Sequence, residues 1–355
     1  MTTALPCYCI HRHLPKFDVH SSFGPLVQQL GSTVIPFDFR FLQRPRWGWR
    51  IGHVLHTASN WYAQSTWNAL APWVDERRFL KTIRPGPSLV HFLWAEFASP
   101  RWAGPYRRRG ARLIGTFHCS ARRLPSVLKG FDPRRRYDFI TLMSQTQAPF
   151  FLERGFPAER LQVILHGVDT DFFCPAEAGT LDPTGRLRLL LVGDTERDHE
   201  FAARLFASLP PDRFTIRVKT KAPNHAAYRA CPRVQLLEPL NGEQLREAYR
   251  QSDLVVLPLL DCTANNTVLE AMACGIPVMA NQVGGVSEYL HDEAHYLMPD
   301  KVEAQWRDGL LHLADHPEDI RRRQPLARED AVRRFGWPVI VPQYHALYDR
   351  VANAS

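Results

Sequence analysis

The stretch NNTVLEAMACGIPVMANQVGGVSE, residues 265–288, decides the fold. Its pattern predicts a helix over Thr267–Ala273, a stop at Gly275-Ile-Pro277 and a short buried strand ending at Ala280. The glycine pair Gly284-Gly285 and the start of another helix follow. The polar run Asp261–Asn266 precedes the first helix, so its unsatisfied N–H groups and positive dipole end point out of the fold, where an anion is favoured. One turn inside sits Glu270, the only charged residue between Thr263 and Ser287. A diphosphate at such a helix tip, with ribose hydroxyls on the acid, suits a nucleotide. The plainer alternative is an ordinary β-α-β unit with a surface glutamate.

Outward from this stretch, short apolar runs alternate with helical patterns, which predicts parallel α/β layers. In the first half the strands are expected at Leu5–Ile10, Thr33–Pro36, Ser88–Leu93, Arg112–Thr116, Phe139–Leu142 and Leu161–Leu165. Ser144 reads as a helix N-cap and Gly155 as a stop, while Trp47–Ile83 is helical in character and rich in Trp and Arg. Periodicity fails over Thr170–Gly185, which marks a linker. A second series follows at Leu187–Val192, Phe214–Val218, Val234–Leu237, Asp253–Leu257 and Pro277–Ala280, with a helix over Asn241–Gln251 and a final amphipathic helix over Trp337–Val351. Two Rossmann-like halves place a ligand in the crevice at the C-terminal ends of both sheets.

Bulk properties narrow the class. At 355 residues and 45% hydrophobic, the chain is long enough for two cored domains. No run of about 18 apolar residues is present, and the N-terminus lacks a secretory pattern. Seven scattered cysteines form neither a disulfide framework nor a zinc pattern, which suits the reducing cytoplasm. Residues 1–172 carry 23 Lys/Arg against 11 Asp/Glu, whereas residues 173–355 carry 21 against 25. The basic half implies an anionic partner, such as lipid headgroups or a lipid diphosphate, unless its Arg runs are simply solvated faces. Helix-turn-helix, zinc-finger and RNP patterns are absent, so no nucleic acid is expected.

Three motifs carry a family resemblance: LEAMACGIPVMANQVGGVSE (269–288), His166-Gly-Val-Asp-Thr-Asp-Phe-Phe173 and EAYRQSDLVVLPL (247–259). With them the second half resembles the family 4 glycosyltransferases, retaining enzymes of the GT-B architecture. Gly115-Thr-Phe-His118 and the loop around Gly24 extend the likeness into the first half. The resemblance implies two Rossmann-like domains facing each other across a cleft. On that resemblance residues 1–170 would bind the acceptor and 171–336 the donor, with the helix 337–355 packing back on the first domain. It implies a nucleoside-diphosphate sugar as donor, a glycan or lipid-linked acceptor, retention of anomeric configuration, no metal and no cofactor. Donor contacts would come from Gly24, Gly193, Leu240, Asp261, Asn265, Asn266, Thr267 and Glu270, the last on the ribose. His118 would stand beside the donor sugar, and His11, His91 and Glu96 would border the acceptor.

The chain also departs from the family. The family's first glutamate falls on Cys262, so Asp261 serves only if the loop bulges by one residue. Asn265-Asn266 replace the usual residues near the sugar, and Val192-Gly-Asp194 stands where Gly-Arg is usual. Arg197 is then the nearest cation for a diphosphate, followed by Lys219 or Lys221. These gaps keep a weakly active or non-catalytic nucleotide-sugar-binding subunit in view. An epimerase or phosphorylase is a weaker third reading, since the cofactor-lysine context of such phosphorylases is absent. Asp169-Thr-Asp171 mimics a metal motif, but belongs to the linker, and His11-Arg-His13 has no third ligand nearby. Peripheral contact with an anionic membrane is the remaining expectation.

Overall fold

The structure, a computed structural model, describes residues 5–12, 20, 23–37, 77, 79–98, 103–176 and 185–354. His13, residues 177–184 of the expected linker and nearly all of the expected helical interval 47–83 lie outside them. Two parallel six-stranded sheets form an α/β molecule.

The first sheet comprises β1 Cys7–Arg12, β2 Thr33–Phe37, β3 Ser88–Phe92, β4 Ala111–Phe117, β5 Phe139–Leu142 and β6 Leu161–Val163, ordered β2-β1-β3-β4-β5-β6. Alternation decides its faces: Val90, Phe92, Leu113 and Phe117 enter one core, and Leu89, Ile114 and Phe139 the other. Both faces are buried, as in parallel sheets covered by helices. The second core is closed by α1 Gly24–Gln29 and by the last helix of the chain, Trp337–Asn353. That last helix presents Trp337, Ile340, Val341, Tyr344, Leu347, Tyr348 and Val351 to this sheet, so the chain crosses back to its first half. Gly167 permits the crossing, because a Cβ there would meet the Trp337 ring at 2.5 Å.

The second sheet comprises β7 Leu187–Val192, β8 Phe214–Lys219, β9 Val234–Leu236, β10 Leu254–Leu257, β11 Val278–Asn281 and β12 Tyr296–Met298. Its order is β12-β11-β10-β7-β8-β9. The strand order reverses between β7 and β10, and in such sheets the ligand crevice lies beyond the C-terminal ends of the two strands at the reversal. Between its strands run α2 Gly242–Arg250, α3 Asn266–Ala273 and α4 Val286–Tyr289, and the chain closes on α5, the helix Trp337–Asn353. Asn241 opens α2 through a capping box with Gln244.

Contacts between the halves hold the crevice in one geometry. Glu288 accepts from the Ser144 hydroxyl at 2.5 Å and from the Gln145 N–H at 3.0 Å. The Tyr289 hydroxyl donates to the Met143 carbonyl at 2.8 Å. Gly285 lets this happen: a Cβ would lie 2.6 Å from the Ser144 hydroxyl. Ala264 packs against cores of both halves, which sets the loop before α3 against the first half.

Candidate active site

The donor-side geometry begins at the end of β7. Gly193 has φ +117°, and a Cβ on it would strike the Arg197 guanidinium at 2.5 Å. With glycine there, Arg197 lies across the strand end and bridges to the start of α3. Its Nη2 donates to Asn265 Oδ1 at 2.7 Å and to Thr267 Oγ1 at 3.1 Å. Its Nε and Nη1 donate to the carbonyls of Val192 at 3.3 Å and Thr195 at 2.6 Å. Asn265 caps the helix, its Oδ1 accepting from the Thr267 N–H at 3.1 Å, a contact of about 1 kcal/mol in typical helices. Burial lowers the pKa of Arg197, with partial compensation from nearby acidic groups that include Glu270. All its hydrogen-bond acceptors among the described residues are neutral, so its positive charge remains at the helix start rather than in an ion pair. Asn266 is exposed at the first helical position.

Glu270 is 5% exposed, and its Oε2 accepts from the Tyr249 hydroxyl at 2.9 Å. Burial, reinforced by the Glu270 charge, raises the Tyr249 phenol far above its ordinary range, which keeps it a donor. The carboxylate therefore sits behind the helix start, one turn from Arg197. Lys219 ends β8, where its carbonyl accepts from the Gly193 N–H at 3.0 Å. The exposed Lys221 ammonium is 3.1 Å from Asp194 Oδ2, just past the end of β7. Asp194 also accepts from the Thr220 hydroxyl and the Lys221 N–H, at 3.0 and 2.7 Å. Its carboxyl titrates below the usual range, because these bonds and the Lys221 charge outweigh burial. Leu240 is half-buried against the second-half core just before α2.

On the opposite wall, His118 follows β4. Its ring stacks on Trp94 with centroids 4.2 Å apart and meets Phe23, which precedes Gly24, edge-on at 4.9 Å. The Glu96 carboxylate accepts from the backbone N–H groups of His118 and Cys119 at 2.9 and 3.0 Å. It also faces His118 Nδ1 at 3.4 Å, while Nε2 is buried without a hydrogen-bond partner. Burial works to raise the Glu96 pKa, but the charge and hydrogen bond of His118 win and hold it low. Glu96 is thus a positioning residue for His118. Gln147 fixes the same turn by donating to the Phe117 and Cys119 carbonyls at 3.1 and 2.8 Å. Gly115 belongs to this arrangement, since a Cβ would meet the Tyr137 ring at 2.8 Å.

His91 does not line the crevice. It is fully buried, with Nδ1 on the Tyr348 hydroxyl at 2.8 Å and Nε2 on Thr116 Oγ1 at 2.6 Å. Burial, and then the charge of His118, push its pKa down to about 3. Strand alternation explains the error: residue 91 faces α5, whose return was legible but whose Tyr348 hydroxyl was not. His11, on the same face of β1, is 2% exposed. His166 is buried with its ring centroid 4.8 Å from that of Phe23, and burial lowers its pKa to about 4. Asp169 Oδ1 accepts from the Asp171 and Phe172 N–H groups, and Oδ2 contacts His20 Nδ1 at 2.8 Å, so it shapes the junction. Among the described residues no group of three or more His, Cys, Asp or Glu is placed to hold a metal.

With Arg197 and the capped start of α3 on one wall and His118 on the other, comparison with known proteins becomes informative. Residues 170–316 match the family described as Glycosyl transferases group 1. The match takes in the second sheet and the start of α3. A D-inositol 3-phosphate glycosyltransferase of Arthrobacter sp. (strain FB24) is 28% identical over 288 residues, 69% of this chain and 67% of the relative. A similar enzyme of Salinispora tropica is 29% identical over 68% of this chain, but the match spans only 59% of that relative. Among solved structures, sucrose-phosphate synthase from Thermosynechococcus elongatus superposes with TM-score 0.72 at 16% identity, covering 99% of this chain and all of the other. Anabaena HepE, solved with UDP and glucose, superposes with TM-score 0.68 at 14% identity over 97% and 99%. Such likenesses establish the GT-B fold of the chain.

Proposed function

We propose that this chain transfers a glycosyl group from a nucleoside-diphosphate sugar to an acceptor hydroxyl, with retention at the anomeric carbon. The observation that carries the reading is the opposition of two prepared walls. Arg197, held on the N-cap of α3, offers positive charge at a helix start. Across the crevice, His118, held by Glu96 through Nδ1, presents a buried Nε2 without a hydrogen-bond partner. The donor diphosphate meets the Arg197 charge and the helix amides, where developing negative charge on the leaving group is stabilised. The bond from the anomeric carbon to the diphosphate oxygen breaks as the acceptor oxygen bonds on the same face. The acceptor proton passes to the departing phosphate oxygen. His118 Nε2 hydrogen-bonds the transferring sugar, and Trp94 and Phe23 fix the ring. Arginine charge and amide dipoles supply the stabilisation without a metal, so EDTA leaves turnover unchanged.

The UDP and glucose bound by HepE favour a nucleotide-sugar donor here. The basic first half suits a glycan or lipid-linked acceptor used at the cytoplasmic face of an anionic membrane, and no helix among the described residues is long and apolar enough to cross one. The test is a thermal-shift panel of UDP-, GDP- and ADP-sugars, followed by NMR of the product anomer. A donor at a hundred times its Kd stabilises the fold by about 2.7 kcal/mol. A flat panel removes the donor site. Binding without turnover on any acceptor favours the nucleotide-sugar-binding subunit instead.

A further inference from the structure

Two cations of the first half reach across the crevice to acids of the second. Arg122 Nη2 lies 2.5 Å from Glu196 Oε2, and Arg122 Nε lies 3.7 Å from Asp261 Oδ2. Arg123 Nε is 3.6 Å from Glu196 Oε1. Glu196 adjoins Arg197 and is the one non-glycine residue with positive φ, +58°, among the described residues. The Leu260 N–H donates to the Glu196 carbonyl at 2.9 Å and Arg197 bridges to Leu259, so the segment after β10 fixes this strained turn. Asp261 is 6% exposed, and its Oδ2 is buried with no hydrogen bond. A buried carboxylate oxygen without a donor is costly unless a ligand completes it. Arg122, by contrast, has a side chain 62% exposed and is free to change partners.

We infer that Arg122 is a donor-binding residue supplied by the opposite half, held on Glu196 and Asp261 until a nucleoside diphosphate takes their place. The inference rests on the reading given under Proposed function. Glu196 and Asp261 present carboxylate oxygens to Arg122 where the diphosphate of the donor presents phosphate oxygens. Guanidinium recognises both by the same paired N–H geometry. On donor entry Arg122 moves from carboxylate to phosphate, and Asp261 Oδ2 is released to accept a sugar hydroxyl. Arg122 thereby adds a second cation to Arg197, while Lys221 is engaged by Asp194.

Exchange and simple bridging give opposite results for the two partners. Isothermal titration of UDP, GDP and ADP into the full chain measures the best-binding nucleotide for wild type, Arg122→Gln, Arg122→Lys, Glu196→Gln and Arg107→Gln, with melting curves to confirm folding. Arg107 pairs with Asp138 away from the crevice and controls for net charge. The expected pattern is about tenfold weaker binding in R122Q, partial recovery in R122K, tighter binding in E196Q and no change in R107Q. R122Q and E196Q moving in the same direction, or either one unchanged, overturns the exchange. Failure of wild type to bind any of the three nucleotides overturns the donor site itself.

Discussion

Glu96 gives the sharpest separation of stability from chemistry. Its side chain is fully buried and receives two backbone N–H groups, from His118 and Cys119, besides facing His118 Nδ1. Glu96→Ala removes the acceptor of both N–H groups. A buried donor left unpaired costs about 1–3 kcal/mol, so the pair costs about 2–6 kcal/mol before the lost packing is counted. At about 2–4 °C per kcal/mol for a domain of this size, Tm falls by roughly 5–20 °C. Glu96→Gln keeps an oxygen for those N–H groups and loses only the charge, so most of the stability stays. Its activity does not, because the charge-assisted contact to His118 is gone. A loss of about 1.5–3 kcal/mol corresponds to roughly 10- to 100-fold in kcat, with little change in donor KM. The Glu96 pKa is depressed in the folded state. Its stabilisation is therefore present above the unfolded carboxyl pKa of about 4.3 and disappears as pH falls through the folded value. The difference between wild type and E96Q in melting experiments should accordingly be visible at pH 7 and shrink as pH falls below about 4.3. Wild-type turnover in E96Q, or an E96A protein as stable as wild type, would refute the positioning role.

Other consequences follow from the same contacts. Gly285→Ala drives a Cβ to within 2.6 Å of the Ser144 hydroxyl, so the halves should separate at that seam; small-angle scattering should show a larger radius of gyration, and an unchanged radius contradicts the seam. His91, His166 and His295 are buried with pKa values pushed down to about 3, 4 and 3. The unfolded chain binds their protons below about pH 6.5 while the folded chain does not, so each costs about 1.4 kcal/mol of stability per pH unit on going down from 6.5 toward its folded value. A Tm that stays level between pH 6.5 and 4.5 is incompatible with their burial. The arginines of the first half should bind the chain to anionic vesicles at low salt, at about 1 kcal/mol for each one near the surface; equal partitioning onto neutral and anionic vesicles rules that out.

Much of the fold was legible because parallel strands buried on both faces leave apolar runs that need no long-range information. Leu187–Val192 and Phe139–Leu142 match the observed strands residue for residue. The expected edges shifted where a strand ends on a polar residue, as at Arg12 and Lys219, since pairing with neighbours extends the ladder beyond the apolar run. Tyr296–Met298 was missed: three half-buried residues on a sheet edge carry too little pattern. The helices Glu303–Asp315 and Pro317–Asp330 were not singled out either, the second being interrupted by Pro325 and strongly charged. At the site, Arg197, Asn265 and Thr267 were readable as neighbours because a strand end and a helix start meet at a switch point. What joins distant segments was not readable. Trp94 under His118, Tyr249 on Glu270, Arg122 on Glu196 and Glu288 on Ser144 depend on side-chain reach between elements 21 to 144 residues apart. His91 failed for that reason as well, since its partner lies 257 residues away.

Hydrogen exchange with and without the donor identified by the thermal-shift panel tests the crevice most directly. Donor binding should slow exchange at three segments together, 193–197, 261–268 and 117–122, and leave β2 and β12 unaffected. Protection confined to one half, or absent from the start of α3, would contradict a donor held between Arg197 and His118.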